Sequence, residues 1–319
     1  MSKQSQAGID GCNFELVLSG VEKDKFVQPQ PLLNQHGNKY GEIGVKHGKI
    51  YLSVNLPKFI RGDNVKAFSV MDMIKLDTIR DDLVITLKNL FGDEFESKLT
   101  SIECNITQKV SGDSTCSQVL NLINRSFYDE TNVVYQRASS KCRHLKENET
   151  VIIRSKNYYV LKCYNKSLEQ WKSGNKGVEG GILRIEIVLQ DRAITKLFGK
   201  KTSISDVLQR KGLEKVIEEY RRIFVEDVIN KHIRPCLTDI RKILTESLVN
   251  TGSPTETIAK HREIIVDVEV LRVALKRAYE IRGMKDNSRK IISDMKKYDL
   301  PKDVLRTVKE FHKSCGELV

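Results

Sequence analysis

The sequence predicts an α+β fold: an antiparallel-sheet domain over residues 1–199, then an all-α domain over residues 200–319. Three observations predict it. Short runs with period-two alternation crowd the first part of the chain, which is the signature of strands with one buried face. Turn signals at Gly37-Asn38, His47-Gly48 and Ser111-Gly112 separate or follow those runs. After Phe198-Gly199-Lys200-Lys201 the strand signals fade, and apolar residues recur at threes and fours instead.

Residues 13–19 set Phe14, Leu16 and Leu18 against polar neighbours, and residues 41–45, 49–55 and 100–108 are further short strands. Residues 72–91 repeat Met73, Leu76, Ile79, Leu83, Leu87 and Leu90, which predicts a helix. A second amphipathic helix over 116–127 turns Val119, Leu120 and Ile123 inward. Residues 157–190 hold two strands joined by a polar, Gly-rich link. The second of these buries Leu183, Ile185, Ile187 and Leu189 and shows Arg184, Glu186 and Gln190 on the opposite face. In the tail, Ser203-Ile204-Ser205-Asp206 opens a helix continued by Leu208, Leu213, Val216, Ile217, Tyr220 and Phe224. Pro235 interrupts or bends the next helix. Thr251-Gly252-Ser253-Pro254 breaks the chain and Thr255 caps the helix after it. Two more helical stretches meet near Asp299-Leu300-Pro301.

With 39% hydrophobic residues, the 319-residue chain has enough apolar material for a core. No apolar run approaches the roughly 18–20 residues that span a bilayer, and residues 1–13 lack an apolar signal core. A cytoplasmic protein without membrane contact is expected. The seven cysteines are scattered and none has C-x-x-C spacing, which argues for reduced thiols over a disulfide framework or zinc site. A net charge of +12 favours a polyanionic partner, of which nucleic acid is the commonest; the alternative is a solvated basic surface.

Four motifs follow one another: Asn55-Leu56-Pro57-Lys58-Phe59; Ile102-Glu103-Cys104-Asn105; Tyr164-Asn165-Lys166 with Glu169-Gln170; and Leu183-Arg184-Ile185-Glu186. With the helical tail behind them, they resemble the rolling-circle replication initiators of filamentous phages and small plasmids, the phage gene II/X and plasmid Rep_trans-like proteins. The resemblance covers roughly residues 45–200 and implies a Rep/nickase-like first domain. It implies a sequence-specific endonuclease in which a tyrosine attacks DNA, forming a 5′-phosphotyrosyl link and freeing a 3′-OH. Mg²⁺ or Mn²⁺ would polarise the scissile phosphate. The implied partners are origin DNA, as duplex and single strand, and the host replication helicase and polymerase. The tail would bind origin DNA or form a homodimer. Carried onto this chain, Glu186 is the first candidate metal ligand and Glu103 the second. The nucleophile falls to Tyr158 or Tyr159, with Tyr158 preferred.

The residues themselves sharpen this. Glu103, Asn105 and Thr107 share the open face of their strand, so Glu103 and Glu186 converge if the two strands share a sheet face. Two carboxylates that close repel unless a cation sits between them. By alternation, Tyr158 and Tyr164 fall with Lys162 and Lys166, and Tyr159 falls opposite; an ammonium beside a phenol favours phenolate. Lys162 and Lys166 are equally suited to holding a phosphate. Trp171, in a loop, either stacks on an unpaired base or covers the sheet edge. Lys196, Lys200 and Lys201 form a phosphate-contacting patch at the domain junction. Each of these residues also has a purely structural reading as a strand or solvated-surface residue. No His-hydrophobic-His motif is present, and residues 151–155 contain no tyrosine. Both features favour an alternative: a non-catalytic DNA-binding replication or copy-control protein of the same descent. An unrelated α+β nucleic-acid-binding protein is a third reading.

Overall fold

The computed structural model describes residues 7–18, 26–63, 68–92, 95–127, 135–136, 150–174, 180–200, 202–294, 298 and 300–316. Its strands are β1 (Gly8–Leu18), β2 (Gln30–Leu33), β3 (Lys39–Lys46), β4 (Lys49–Asn55), β5 (Phe95–Lys109), β6 (Tyr135–Gln136), β7 (Thr150–Ser155), β8 (Tyr159–Asn165) and β9 (Ile182–Leu189). Among the described residues they form one nine-stranded sheet in the order β2-β3-β4-β1-β5-β9-β8-β7-β6. Every neighbouring pair runs antiparallel, as expected. The β3–β4 hairpin closes on His47-Gly48, whose φ angles of 52° and 72° suit a tight turn with left-handed residues.

The first helices are α1 (Leu56–Arg61), α2 (Leu76–Phe91), α3 (Asp113–Ser126), α4 (Lys166–Lys172) and α5 (Asp191–Phe198). The tail holds α6 (Ile204–Val207), α7 (Arg210–Arg222), a π-helical segment (Ile223–Ile233), α8 (Arg234–Thr251), α9 (Pro254–His261), α10 (Val268–Ile281), α11 (Ser288–Asp294) and α12 (Val304–Gly316). No strand follows Leu189 among the described residues. The fold is therefore α+β with a helical C-terminal region.

Several local expectations shift. The helix predicted from residue 72 begins as a 3₁₀ turn, Val70–Lys75, where Ser69 and Asp72 form a capping box; α2 proper starts at Leu76. Pro235 does not break its helix. It sits in the first turn of α8, where its missing N–H costs nothing intrahelical, and the preceding segment widens so that Arg234 N–H reaches the Ile229 carbonyl. Ser253 caps α9 in place of Thr255: its hydroxyl accepts from the Glu256 N–H at 3.2 Å, with Pro254 at the first helical position. Trp171 lies on α4, not in a loop. Asn165 starts that helix by accepting from the Leu168 N–H at 3.2 Å, which takes Lys166 off the strand.

One face of the central strands is apolar. Ile102, Cys104 and Ile106 of β5 and Leu183, Ile185, Ile187 and Leu189 of β9 are all buried there. Each such aliphatic side chain contributes roughly 1.5–3 kcal/mol by leaving water. Tail helices supply the cover. Tyr220 of α7 donates its hydroxyl to the Ile185 carbonyl at 3.1 Å, and Gln108 of β5 hydrogen-bonds Glu310 of α12. The helical region thus packs directly on the sheet. No helix of the described residues is long and apolar enough to cross a membrane. Cys12, Cys104, Cys116, Cys163, Cys236 and Cys315 are free thiols; Cys142 lies outside the described residues.

Candidate functional site

The opposite face of the central strands is polar, and register places its residues. On β9, Glu186 lies opposite Asn105 of β5 and Lys162 of β8; Arg184 lies opposite Thr107 and Tyr164. Side chains alternate, so Glu103, Asn105, Thr107, Lys162, Tyr164, Arg184 and Glu186 share this face. Glu103 and Glu186 do converge, and the cation between them is a lysine. Lys162 Nζ lies 2.5 Å from Glu186 Oε1 and 3.5 Å from Glu103 Oε1. The Tyr164 hydroxyl donates to Glu186 Oε2 at 3.2 Å.

Arg184, expected on an open face, is fully buried. Its Nη1 donates to Asp10 Oδ2 at 2.8 Å and its Nε to Thr107 Oγ1 at 2.8 Å. Asp10 arrives through a bulge in β1, where the register against β5 shifts between Ile9 and Gly11. The extra residue re-aims a side chain that strict alternation would place elsewhere. Lys166 is also buried, paired with Glu169 at 2.6 Å, its ammonium 5.9 Å from the centre of the Tyr164 ring.

This burial governs the protonation energetics. It pushes the Asp10 carboxyl up, with Arg184 opposing and Glu186 reinforcing. Burial and then Glu186 push Glu103 up, against Lys162. For Lys162 burial works against the charge, but Glu186 and Glu103 outweigh it and hold the ammonium above its ordinary value. The Tyr164 phenol is driven well up by burial and then by Glu186. Lys166 is pulled down by burial and by Arg184.

The two tyrosines expected as nucleophiles are elsewhere. The β7–β8 turn passes through Asn157 at φ 59°, so β8 begins at Tyr159 and Tyr158 stays in the turn. The Tyr158 hydroxyl donates to Glu219 of α7 and accepts from Lys196 Nζ at 3.1 Å. Arg222 grips the same Glu219 through bonds of 3.0 and 2.8 Å. Since α7 covers the apolar face, Tyr158 points to the helical side of the sheet, away from Lys162 and Glu186. Tyr159 alternates with Leu161 and Cys163 into the core and is 5% exposed.

Of the expected nucleic-acid contacts, Lys200 is exposed beside Lys98, Arg192 and Thr195, and Trp171 is 59% exposed on α4. Lys196 is engaged by Tyr158 and, at 3.5 Å, by Glu219. Lys201 lies outside the described residues. Lys162 and Lys166 are held by carboxylates as described above.

The Glu219 latch makes a testable contribution. Burial opposes its charge, but Arg222, Tyr158 and Lys196 outweigh that and hold the carboxyl below its ordinary value. A depressed carboxyl stabilises the fold above the unfolded-chain value of about 4.3, and that stability is lost as pH falls through the folded value. Glu219→Gln should therefore flatten the acid limb of stability against pH, measured by urea unfolding from about pH 6 down to about pH 3.

Hard carboxylate oxygens suit Mg²⁺ or Mn²⁺ chemically, but their arrangement does not. The Lys162 ammonium fills the gap between Glu103 and Glu186. Among the described residues, no three His, Cys, Asp or Glu side chains are placed to hold a metal ion.

No family model matches this chain, and no curated protein matches it. Among solved structures, a rolling circle replication initiator protein from Geobacillus stearothermophilus is similar over 69% of this chain and 84% of its own. The TM-score is 0.36 and the sequence identity 11%.

Asp10 and Glu219 were not legible as site residues, whereas Asn105 was placed on the open face with Glu103. A bulge leaves no sequence mark, so Asp10 had no signal. The spacing of Glu219 and Arg222 is a readable helical pair, but its partner Tyr158 comes from a distant turn.

Proposed function

We propose that the protein is a DNA-binding replication protein of the rolling-circle initiator type that engages DNA without cleaving it. The net charge of +12 supports a polyanionic partner. One observation carries the choice against cleavage: Tyr158 and Tyr159 point to the helical side of the sheet, while Glu103 and Glu186 lie on the other face, closed by Lys162. Tyrosine transfer chemistry needs an activated phenol within reach of the groups that stabilise the phosphate.

A second reading keeps the nicking step, and a specific observation favours it. Glu103 and Glu186 do share a face, and a third hydroxyl, that of Tyr164, touches Glu186. On this reading Mg²⁺ or Mn²⁺ would have to displace the Lys162 ammonium from between Glu186 and Glu103 before those carboxylates could hold it. Tyr158 or Tyr159 would attack, and the nicked origin would pass to the host helicase and polymerase. A gel shift on supercoiled DNA carrying the protein's own coding region and flanks tests the binding both readings share. The expected result is a retarded complex and no nicked circle; absence of any complex would contradict both readings.

A further inference from the structure

β9 stops at Leu189, opposite Ile102, so among the described residues no strand lies beside the first half of β5 on that side. The chain leaving α5 takes the place instead. The Thr202 carbonyl accepts from the Leu99 N–H at 3.3 Å, and the Ser97 hydroxyl accepts from the Ile204 N–H at 3.1 Å. This loop leaves a groove of about 490 Å³, within the roughly 300–1,000 Å³ of ligand sites. A second hollow over α5 shares Lys98 and Lys200 with it.

The groove is two-sided in its chemistry. Val17, Val84 and Phe95 give it an apolar wall, and Val17 is 54% exposed. Lys98, Arg192 and Lys200, all exposed, line the groove and the adjoining hollow. Arg192 and Lys200 make no ion pair among the described residues. Three carboxylates lie nearby. Asp206 is held by the Ser203 hydroxyl at 2.7 Å and the Ser203 N–H at 2.8 Å. Asp191 stands 3.6 Å from Lys98 in an exposed pair, which solvent screening makes weak. Glu96 is exposed beside them, and the cations remain in excess.

Duplex DNA keeps its bases stacked inside and offers such a groove sugar and phosphate, which would set charge against the apolar wall. An unpaired strand offers phosphates along one side and base faces along the other. We propose that this groove seats an unpaired DNA strand: Lys98, Arg192 and Lys200 hold its phosphates, and Phe95, with Val17 and Val84, receives a base. The groove shares no residue with the polar sheet-face cluster around Glu186. The assignment rests on the proposed function in taking DNA as the partner, and adds the surface and the form of the DNA.

Fluorescence anisotropy of the full chain provides the test. The probes are an oligo(dT) of about 12 nucleotides, inside the roughly 4–16 nucleotides a single-strand site covers, and a duplex of the same length. Phe95→Leu keeps charge and apolar bulk but removes the ring. It should weaken oligo(dT) binding about fivefold or more and leave duplex binding within about twofold. Lys98→Ala with Arg192→Ala should flatten the oligo(dT) log–log salt slope by about 1.4, at about 0.7 for each contact. An equal loss on both probes in Phe95→Leu would put duplex in the groove and overturn the proposal. So would unchanged oligo(dT) affinity and slope. Wild type that binds duplex but not oligo(dT) would overturn it while the proposed function stands; wild type that binds neither would overturn both. A readout on wild type alone guards against variants that fail to fold. Photo-crosslinking to 5-iododeoxyuridine-substituted oligo(dT), mapped by mass spectrometry, should label the peptide carrying Phe95. Labelling confined to other peptides would also overturn the proposal.

Discussion

Arg184→Met should destabilise the protein by about 3–5 kcal/mol, the largest effect expected of any single substitution on the sheet face. The guanidinium is fully buried and bonds Asp10, itself 3% exposed, at 2.8 Å. Taking the arginine away strands a buried carboxylate whose other oxygen has no well-formed hydrogen bond, and removes the donor to the Thr107 hydroxyl, which keeps only its own bond to Asn105 Oδ1. Breaking such a pair costs far more than the pair's net worth, because the orphaned charge cannot be rehydrated. The double variant Asp10→Asn with Arg184→Met should recover part of the loss. By contrast, Arg277→Ala, which breaks a solvent-exposed pair with Glu280, should change stability by about 1 kcal/mol or less. Urea unfolding of the four proteins measures all of this. A loss below about 1 kcal/mol for Arg184→Met would mean that water reaches the pair.

Binding to duplex DNA should weaken about 10³-fold or more between roughly 50 and 200 mM salt, as for a protein making about six phosphate contacts. The excess of 54 Lys and Arg over 42 Asp and Glu motivates this. Local structure then separates two lysines that look alike in sequence. Lys200 is exposed, so Lys200→Ala should flatten the log–log salt slope by about 1. Lys196 is held by Tyr158 and Glu219, so Lys196→Ala should flatten it less. Fluorescence anisotropy across a salt series gives both slopes; affinity insensitive to salt would contradict an electrostatic interface.

The meeting of Glu103 and Glu186 was legible because it depends on two regular strands and one shared face, and period-two alternation fixes faces without coordinates. The same rule misplaced Tyr158. A left-handed Asn157 ends β7 in a tight turn, and one residue's delay in starting β8 sends the phenol to the other side of the sheet. Lys166 left the strand for a related reason: Asn165 caps a helix there. Arg184 read as an open-face residue because nothing in its own strand announces Asp10, which comes from a bulge far away in sequence. The tail's helices were visible in their periodicity, but not the face they cover. That cover depends on long-range partners such as Tyr220 and Ile185.

The decisive measurement is the search for a covalent protein–DNA intermediate. The full chain is incubated with supercoiled DNA carrying its own coding region and flanks, in Mg²⁺ or Mn²⁺, then denatured in SDS and resolved by electrophoresis. With Tyr158 latched to Glu219, Tyr159 in the core and Lys162 closing the carboxylate pair, DNA should be bound but should carry no SDS-resistant protein. An adduct that disappears in Tyr158→Phe, Tyr159→Phe or Tyr164→Phe, and in Glu186→Gln, would contradict this and establish the nicking reading in its place.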